Sequence, residues 1–206
     1  MDLETPVIGI LRGVEASLFK DIMDASFASG LQAIEVTMNT VGAPEIISGC
    51  RTQVPPGKLL GMGTIRNLAE AKIAVEAGAM FMVSPNLDLA VIEYARQQGV
   101  PIVVGALTPT EVYAAHAAGA AMVKVFPCGV LGPVYIRELL GPFDQIPLVA
   151  VGGVNFDNLD QYFKAGAVAV GVSSSLFGKE ALRQKNMVEL AANVKKFIGH
   201  CHEARA

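Results

Sequence analysis

Cysteine is scarce: Cys50, Cys128 and Cys201 are the only three in 206 residues. Their odd number and wide separation give no disulfide framework and match no zinc spacing, so a reduced protein of the cytoplasm is expected. Charge is scarce too, at 17% of residues against 52% apolar. The 16 Lys and Arg are scattered among 19 Asp and Glu, for a net charge of -3. That leaves no basic field for nucleic acid and no cationic run for a membrane surface. No apolar run approaches the roughly 18 residues of a spanning helix. Val7–Leu11 is too short for the core of a signal peptide and is followed by no cleavage site. No linker, low-complexity stretch or composition shift divides the chain. The expectation is a soluble protein with one core and one domain, 1–206.

What is present is a repeat. Helix-like text, a small residue with Gly, and a short apolar run recur four times: Ser29-Gly30 before AIEVTM, Ala77-Gly78 before MFMVS, Ala118-Gly119 before AMVKVF, and Ala165-Gly166 before VAVGV. A glycine there can take the left-handed conformation that ends a helix, and the run after it reads as a buried strand. Four more strands fall between them, at VIGIL near 7, KLLGMG near 58, PIVVG near 101 and PLVAVG near 147. Helix starts follow. Thr108-Pro109-Thr110-Glu111 is a capping box with proline at the first helical position, Asn67 with Glu70 is another cap, and Asn155 is expected to cap DNLDQYF. Leu182–His200 reads as the last amphipathic helix, with a frayed tail. Continuous apolar strands alternating with helices imply an α/β fold with a parallel sheet covered by helices. Eight units of roughly 25 residues fit a compact (β/α)8, or TIM, barrel with short loops. The competing open, doubly wound sheet would call for a Gly-rich turn after the first strand, and ILRGVE is not one.

In such a barrel the active site forms at the C-terminal ends of the strands. Most of the unexpected polar residues fall there. Lys124 lies inside AAMVKVFP, where a charged amine loses its hydration. Lowering a lysine pKa from about 10.4 to about 7 costs on the order of 4–5 kcal/mol. A desolvated lysine is the amine that condenses with a ketone to form a Schiff base, whereas a merely structural one would snorkel out or pair with a carboxylate. Glu35, in AIEVTM, can shuttle protons for such an amine or serve as counter-ion to Lys124 or Arg12. Gly152-Gly153 before a helix start, with Ser174 after the eighth strand, is positioned as a phosphate cradle, although a Gly pair alone is also an ordinary turn. Arg12 can hold an anion through its planar fork or stand solvated. Thr64 can offer its hydroxyl to a carboxylate or cap the next helix. His116 falls on a helix away from these ends. His200 and His202 flank Cys201 in the tail, a poor match for a metal site. Cys128 has no neighbouring histidine to activate it.

With VIGILRG, IEVTMNT, GMGT, VSPN, GALTPTE, VKVFP, AVGGVN and GVSSSLF in order, the chain resembles the 2-keto-3-deoxy-6-phosphogluconate/galactonate aldolase family almost end to end. That family includes the 2-keto-4-hydroxyglutarate aldolases. The resemblance implies a class I aldolase without cofactor or metal, usually a homotrimer. It would cleave a phosphorylated keto acid at C3–C4 into pyruvate and D-glyceraldehyde 3-phosphate. Lys124 then matches the Schiff-base lysine and Glu35 the general acid/base. Thr64 and Pro85 match the keto-acid end, Arg12 a basic binding position, and Gly152, Gly153 and Ser174 the phosphate site. Asn39 stands where many gluconate-type members carry a phosphate-binding arginine, and Val151 where they often have threonine, so the pattern leans to galactonate-type or dual use. Two other reactions stay open: 4-hydroxy-2-oxoglutarate cleavage to pyruvate and glyoxylate, and a non-aldolase phosphate-binding barrel enzyme in which Lys124 is only a cation. A catalytically silent binding protein is a further alternative, with no use for a desolvated amine.

Overall fold

Buried strands that alternate with helices can satisfy their edges by closing on themselves, and this chain does so. A computed structural model describes residue 1 and residues 3–205, with eight parallel strands paired in chain order around a closed barrel. The strands are β1 (Val7–Leu11), β2 (Ala33–Thr37), β3 (Leu59–Gly63), β4 (Met82–Val83), β5 (Ile102–Ala106), β6 (Met122–Val125), β7 (Leu148–Val151) and β8 (Ala169–Val172). Around them run α1 (Ala16–Ala28), α2 (Ala43–Cys50), α3 (Leu68–Glu76), α4 (Leu89–Gln97), α5 (Pro109–Ala117), α6 (Cys128–Leu140), α7 (Leu159–Lys164), α8 (Ser174–Phe177), α9 (Lys179–Arg183) and α10 (Met187–Arg205). The expected (β/α)8 barrel is the fold observed. The repeat glycines Gly30, Gly78, Gly119 and Gly166 take φ of 102°, 92°, 99° and 101°, the left-handed helix endings the repeat requires.

Each strand puts alternate residues inside and outside the barrel. Ala33, Phe81, Val83, Val103, Met122, Val149, Val151 and Ala169 pack together in the interior. Ile34, Val36, Val123 and Val125 instead join the layer between barrel and helices. Glu35 on β2 and Lys124 on β6 therefore share the inward parity of Ala33 and Met122. The period of two, set by backbone geometry, turns the carboxylate and the amine toward the barrel axis.

β4 is shorter than MFMVS suggests. The ladder nonetheless continues at both of its ends, since Met62 N–H donates to Phe81 O (3.1 Å) and Ser84 N–H donates to Val103 O (3.0 Å). Asn155 does not cap a helix directly. Its side chain accepts from Asp157 N–H (2.8 Å), a turn follows, and α7 starts only at Leu159 after Asn158. A side-chain turn competes with the first helical turn at such Asn-rich starts. The last amphipathic stretch is likewise two helices, because Lys185 at φ 55° breaks it between α9 and α10. The tail is helical to Arg205, with Cys201 buried beneath it.

The Thr108 box forms as expected: its hydroxyl accepts from Glu111 N–H (3.3 Å), and Glu111 accepts from the Thr108 and Leu107 N–H groups (2.8 and 2.9 Å). Thr108→Ala is expected to cost about 1 kcal/mol. A lower urea midpoint with unchanged slope would show it.

Among the described residues no helix is long and apolar enough to cross a membrane. None of them form a group of three or more metal-capable side chains. His200 pairs with Asp160 (2.6 Å) rather than with Cys201, whose thiol burial pushes up to about 12. His116 lies exposed on α5.

Candidate active site

The strand C-termini open into a cavity of about 440 Å³. Arg12, Glu35, Thr64, Lys124, Val151, Gly152, Gly153 and Ser174 line it together, although they come from six strands or the loops that follow them. Two other expected site residues lie elsewhere. Asn39 is exposed on the loop after β2 and faces a separate cleft with Gly13 and Val41. Pro85 does not line the cavity; its backbone packs so closely on Gly105 that a side chain there would collide with it.

Glu35 is 1% exposed and Lys124 7%. Burial raises the Glu35 carboxyl to about 7, against the pull of Lys124 and Arg12 toward the ionised form. Burial also lowers the Lys124 ammonium; Glu35 opposes that change and the Arg12 charge adds to it. Both shifts favour the neutral form, so the amine gives up its proton more readily and the carboxyl holds its own longer. Such groups in a cleft are suited to moving protons near neutral pH.

Glu35 Oε2 is buried and has no hydrogen-bond partner among the described residues. An unpaired buried carboxylate oxygen is costly, which fits a group built to meet a substrate proton. The carboxyl can lie where it does because position 63 on β3 is glycine: any Cβ there would collide with it. The Lys124 amine sits 4.8 Å from the Phe126 ring centroid, a face that attracts a cation but accepts no ordinary proton transfer.

Thr64 follows β3 at φ 60°, a left-handed conformation uncommon for any side chain and least tolerated by β-branched ones. Strain of this kind persists where surrounding structure imposes it, often at functional sites. Gly152 and Gly153 take φ of 95° and 81° beyond β7, and Gly129 Cα would lie 3.1 Å from a Cβ at position 153. The cavity wall there is backbone, flanked by Ser173, Ser174 and Ser175 at the passage from β8 into α8. Cys128 is occupied: its thiol donates to Gly152 O (3.2 Å), and burial raises its pKa, leaving it protonated and unsuited to nucleophilic attack.

Phe126, Ser173 and Ser175 also line the cavity and were not singled out in the sequence, and Asn155, expected only as a helix cap, lines it too. Phe126 was within reach of the alternation rule, since it stands two residues after Lys124. The two serines flank a residue already chosen.

A family model described as KDPG and KHG aldolase matches residues 3–193. A protein of Rhizobium meliloti named probable 2-dehydro-3-deoxy-6-phosphogalactonate aldolase is 38% identical over 197 residues, covering 92% of each chain. The Escherichia coli protein named 2-dehydro-3-deoxy-6-phosphogalactonate aldolase is 31% identical over 193 residues, covering 93% of this chain and 94% of that one. A solved structure described as native KDPGal superposes with a TM-score of 0.92 at 28% identity, covering 99% of this chain and 98% of the other.

Proposed function

The chain belongs to the KDPG and KHG aldolase family, and from that premise we propose that it cleaves a 2-keto-3-deoxy-6-phospho sugar acid, of galactonate and/or gluconate type, into pyruvate and D-glyceraldehyde 3-phosphate. The observation that carries the reading is the placement of a buried lysine with a depressed pKa and a buried carboxyl with a raised one in a single cavity.

Neutral Lys124 Nζ adds to the C2 ketone, giving a carbinolamine that loses water to a protonated imine. Ionised Glu35 accepts the proton of the C4 hydroxyl. The C4–O bond becomes the aldehyde carbonyl, the C3–C4 bond breaks, and its electron pair moves through C3–C2 to neutralise the iminium nitrogen as an enamine. Protonation at C3 and addition of water then release pyruvate and restore the amine. The imine is the electron sink, so no cofactor or metal is required. Arg12 and the Thr64 hydroxyl meet anionic substrate groups, and the Gly152-Gly153 backbone with Ser174 meets the phosphate. Pro85 supports the keto-acid end through its packing on Gly105. Val151 lines the cavity without a hydroxyl to offer a substrate oxygen, which supports a galactonate-type preference, as do the names of the two relatives. Asn39 is proposed to leave phosphate binding to the other residues.

The chain acts as a single domain, as a homotrimer and in the cytoplasm. Exposed Val130, Leu131 and Val134 on α6 support self-association, and free cysteines at 50, 128 and 201 support a reducing compartment. Light scattering tests the trimer.

Pyruvate release coupled to lactate dehydrogenase, run on both C4 epimers and on 4-hydroxy-2-oxoglutarate, tests the substrate. Turnover of a phosphorylated epimer is expected. Turnover of 4-hydroxy-2-oxoglutarate alone, with glyoxylate as co-product, would replace the phosphorylated substrate, and no pyruvate from any of the three would remove the aldolase assignment. In the same assay Gly63→Ala is expected to lower kcat by about 100-fold, because a displaced carboxyl no longer reaches the C4 hydroxyl. Overpacking should cost stability as well, about 1–3 kcal/mol.

A further inference from the structure

Arg12 lines the cavity, yet among the described residues it has no hydrogen-bond or salt-bridge partner. No described residue grips its guanidinium, so where it reaches into the cavity depends on the backbone of its own loop. That loop joins β1 to α1. Beside Arg12, Gly13 takes φ 65° and donates its N–H to the Thr40 hydroxyl at 2.9 Å. Thr40 is in turn 3.0 Å from the hydroxyl of Thr37, and its N–H donates to Thr37 O at 2.8 Å. Both threonines are buried. Thr37 lies at the end of β2, two residues beyond Glu35 and of the same inward parity. With one lone pair taken by the Gly13 N–H, Thr40 can still exchange a hydrogen bond with Thr37, so one hydroxyl couples the Arg12 loop to the strand that carries Glu35.

On the far side, Glu15 of the same loop pairs with Lys185 (2.7 Å). That pair is solvent-exposed, and such pairs hold little. The buried tie is the Thr40 one.

We infer that Thr40 is a positioning residue which, by holding the Gly13 N–H, fixes Arg12 over the cavity relative to Glu35 and so sets affinity for the substrate's anionic end. This rests on the aldolase reading above, in which Arg12 meets an anion. Valine at position 40 keeps the shape and removes the acceptor, leaving the Gly13 N–H without its partner.

Thr40→Val is expected to raise KM for the phosphorylated substrate about tenfold while kcat falls far less. Thr40→Ser, which keeps the hydroxyl, should restore the wild-type KM. In an Arg12→Ala background Thr40→Val should add no further rise, because both changes remove one effect. Borohydride trapping of pyruvate on Lys124, run on the wild-type and variant proteins, separates the two ideas. A trapped wild-type adduct with an unchanged KM in Thr40→Val, or with a KM rise that adds fully to that of Arg12→Ala, overturns the role of Thr40 and leaves the aldolase reading intact. No wild-type adduct overturns both. Should Thr40→Val fail to fold, Thr40→Ala, which also removes the acceptor for the Gly13 N–H, carries the same test: a raised KM supports the inference and a wild-type KM removes it.

Discussion

Lys124→Met is expected to abolish the covalent adduct that borohydride fixes between pyruvate and the protein, and to lower turnover by at least about 10,000-fold. Methionine matches the lysine stem in length and fills the same interior space beside Phe126 without an amine. The loss is chemical, because among the described residues no other lysine lines the cavity. Mass spectrometry of the reduced protein would show the mass of pyruvate, less the oxygen lost on condensation, on wild-type Lys124 and none on the variant. An adduct of equal yield in Lys124→Met would place the nucleophile elsewhere.

Stability should respond with a sign that depends on pH. Removing one member of a buried charged pair is costly when the other stays ionised. Glu35, raised to about 7, can escape that cost by staying protonated. Lys124→Met is therefore expected to be at least as stable as wild type near pH 6, where Glu35 stays neutral. It should be less stable near pH 8.5, where an unpaired carboxylate must be buried. Urea denaturation at the two pH values reads this directly.

Glu35→Gln carries the second large effect. General acid/base groups contribute about 100- to 10,000-fold, and kcat should fall within that range. Glutamine keeps the size of the side chain, so trapping of pyruvate itself should survive, more slowly. The wild-type kcat/KM should rise with pH through an apparent pKa near 7, since the carboxyl must be ionised to accept the C4 proton. Glu35→Gln should lose that limb. A variant with the wild-type profile would assign the proton transfer to another group.

The same carboxyl predicts a stability trend opposite to the usual one for acids. Its folded pKa of about 7 lies above the ordinary value of 4.5. Its contribution is fully present below pH 4.5 and is lost as pH rises through 7, when the folded state must bury the charge. The interval corresponds to about 3 kcal/mol. Glu35→Gln should flatten that part of the stability profile while removing activity, so the wild-type protein gives up stability for its carboxylate.

Where the structure departs from expectation, the reasons are local. At Asn155 and Lys185 a turn within a polar stretch competes with helix at nearly equal free energy, and hydrophobic period alone does not show the break. β4 is short because only Met82 and Val83 pair in register with its neighbours, while Phe81 and Ser84 add single hydrogen bonds at its ends. Asn39 stands four residues from Glu35, yet β2 has ended between them, and the loop carries Asn39 into a neighbouring cleft. Phe126 and the flanking serines are unremarkable residue types; only their shared cavity distinguishes them.

By itself the sequence determined the eight strands, the helix-ending glycines, the capping box and the two charged residues out of place in apolar strands. These follow from nearest neighbours along the chain: a period of two, a left-handed turn, a hydroxyl within reach of an N–H three residues on. It also placed Lys124 and Glu35 near the ends of their strands, where a barrel keeps its chemistry. The tertiary structure decided which of those residues meet. Closure brings β2 and β6, separated by 84 residues between Thr37 and Met122, around one cavity, and it leaves Asn39 outside. Burial there shifts two pKa values toward each other, and burial depends on what the rest of the barrel excludes from water, which no short stretch of sequence records.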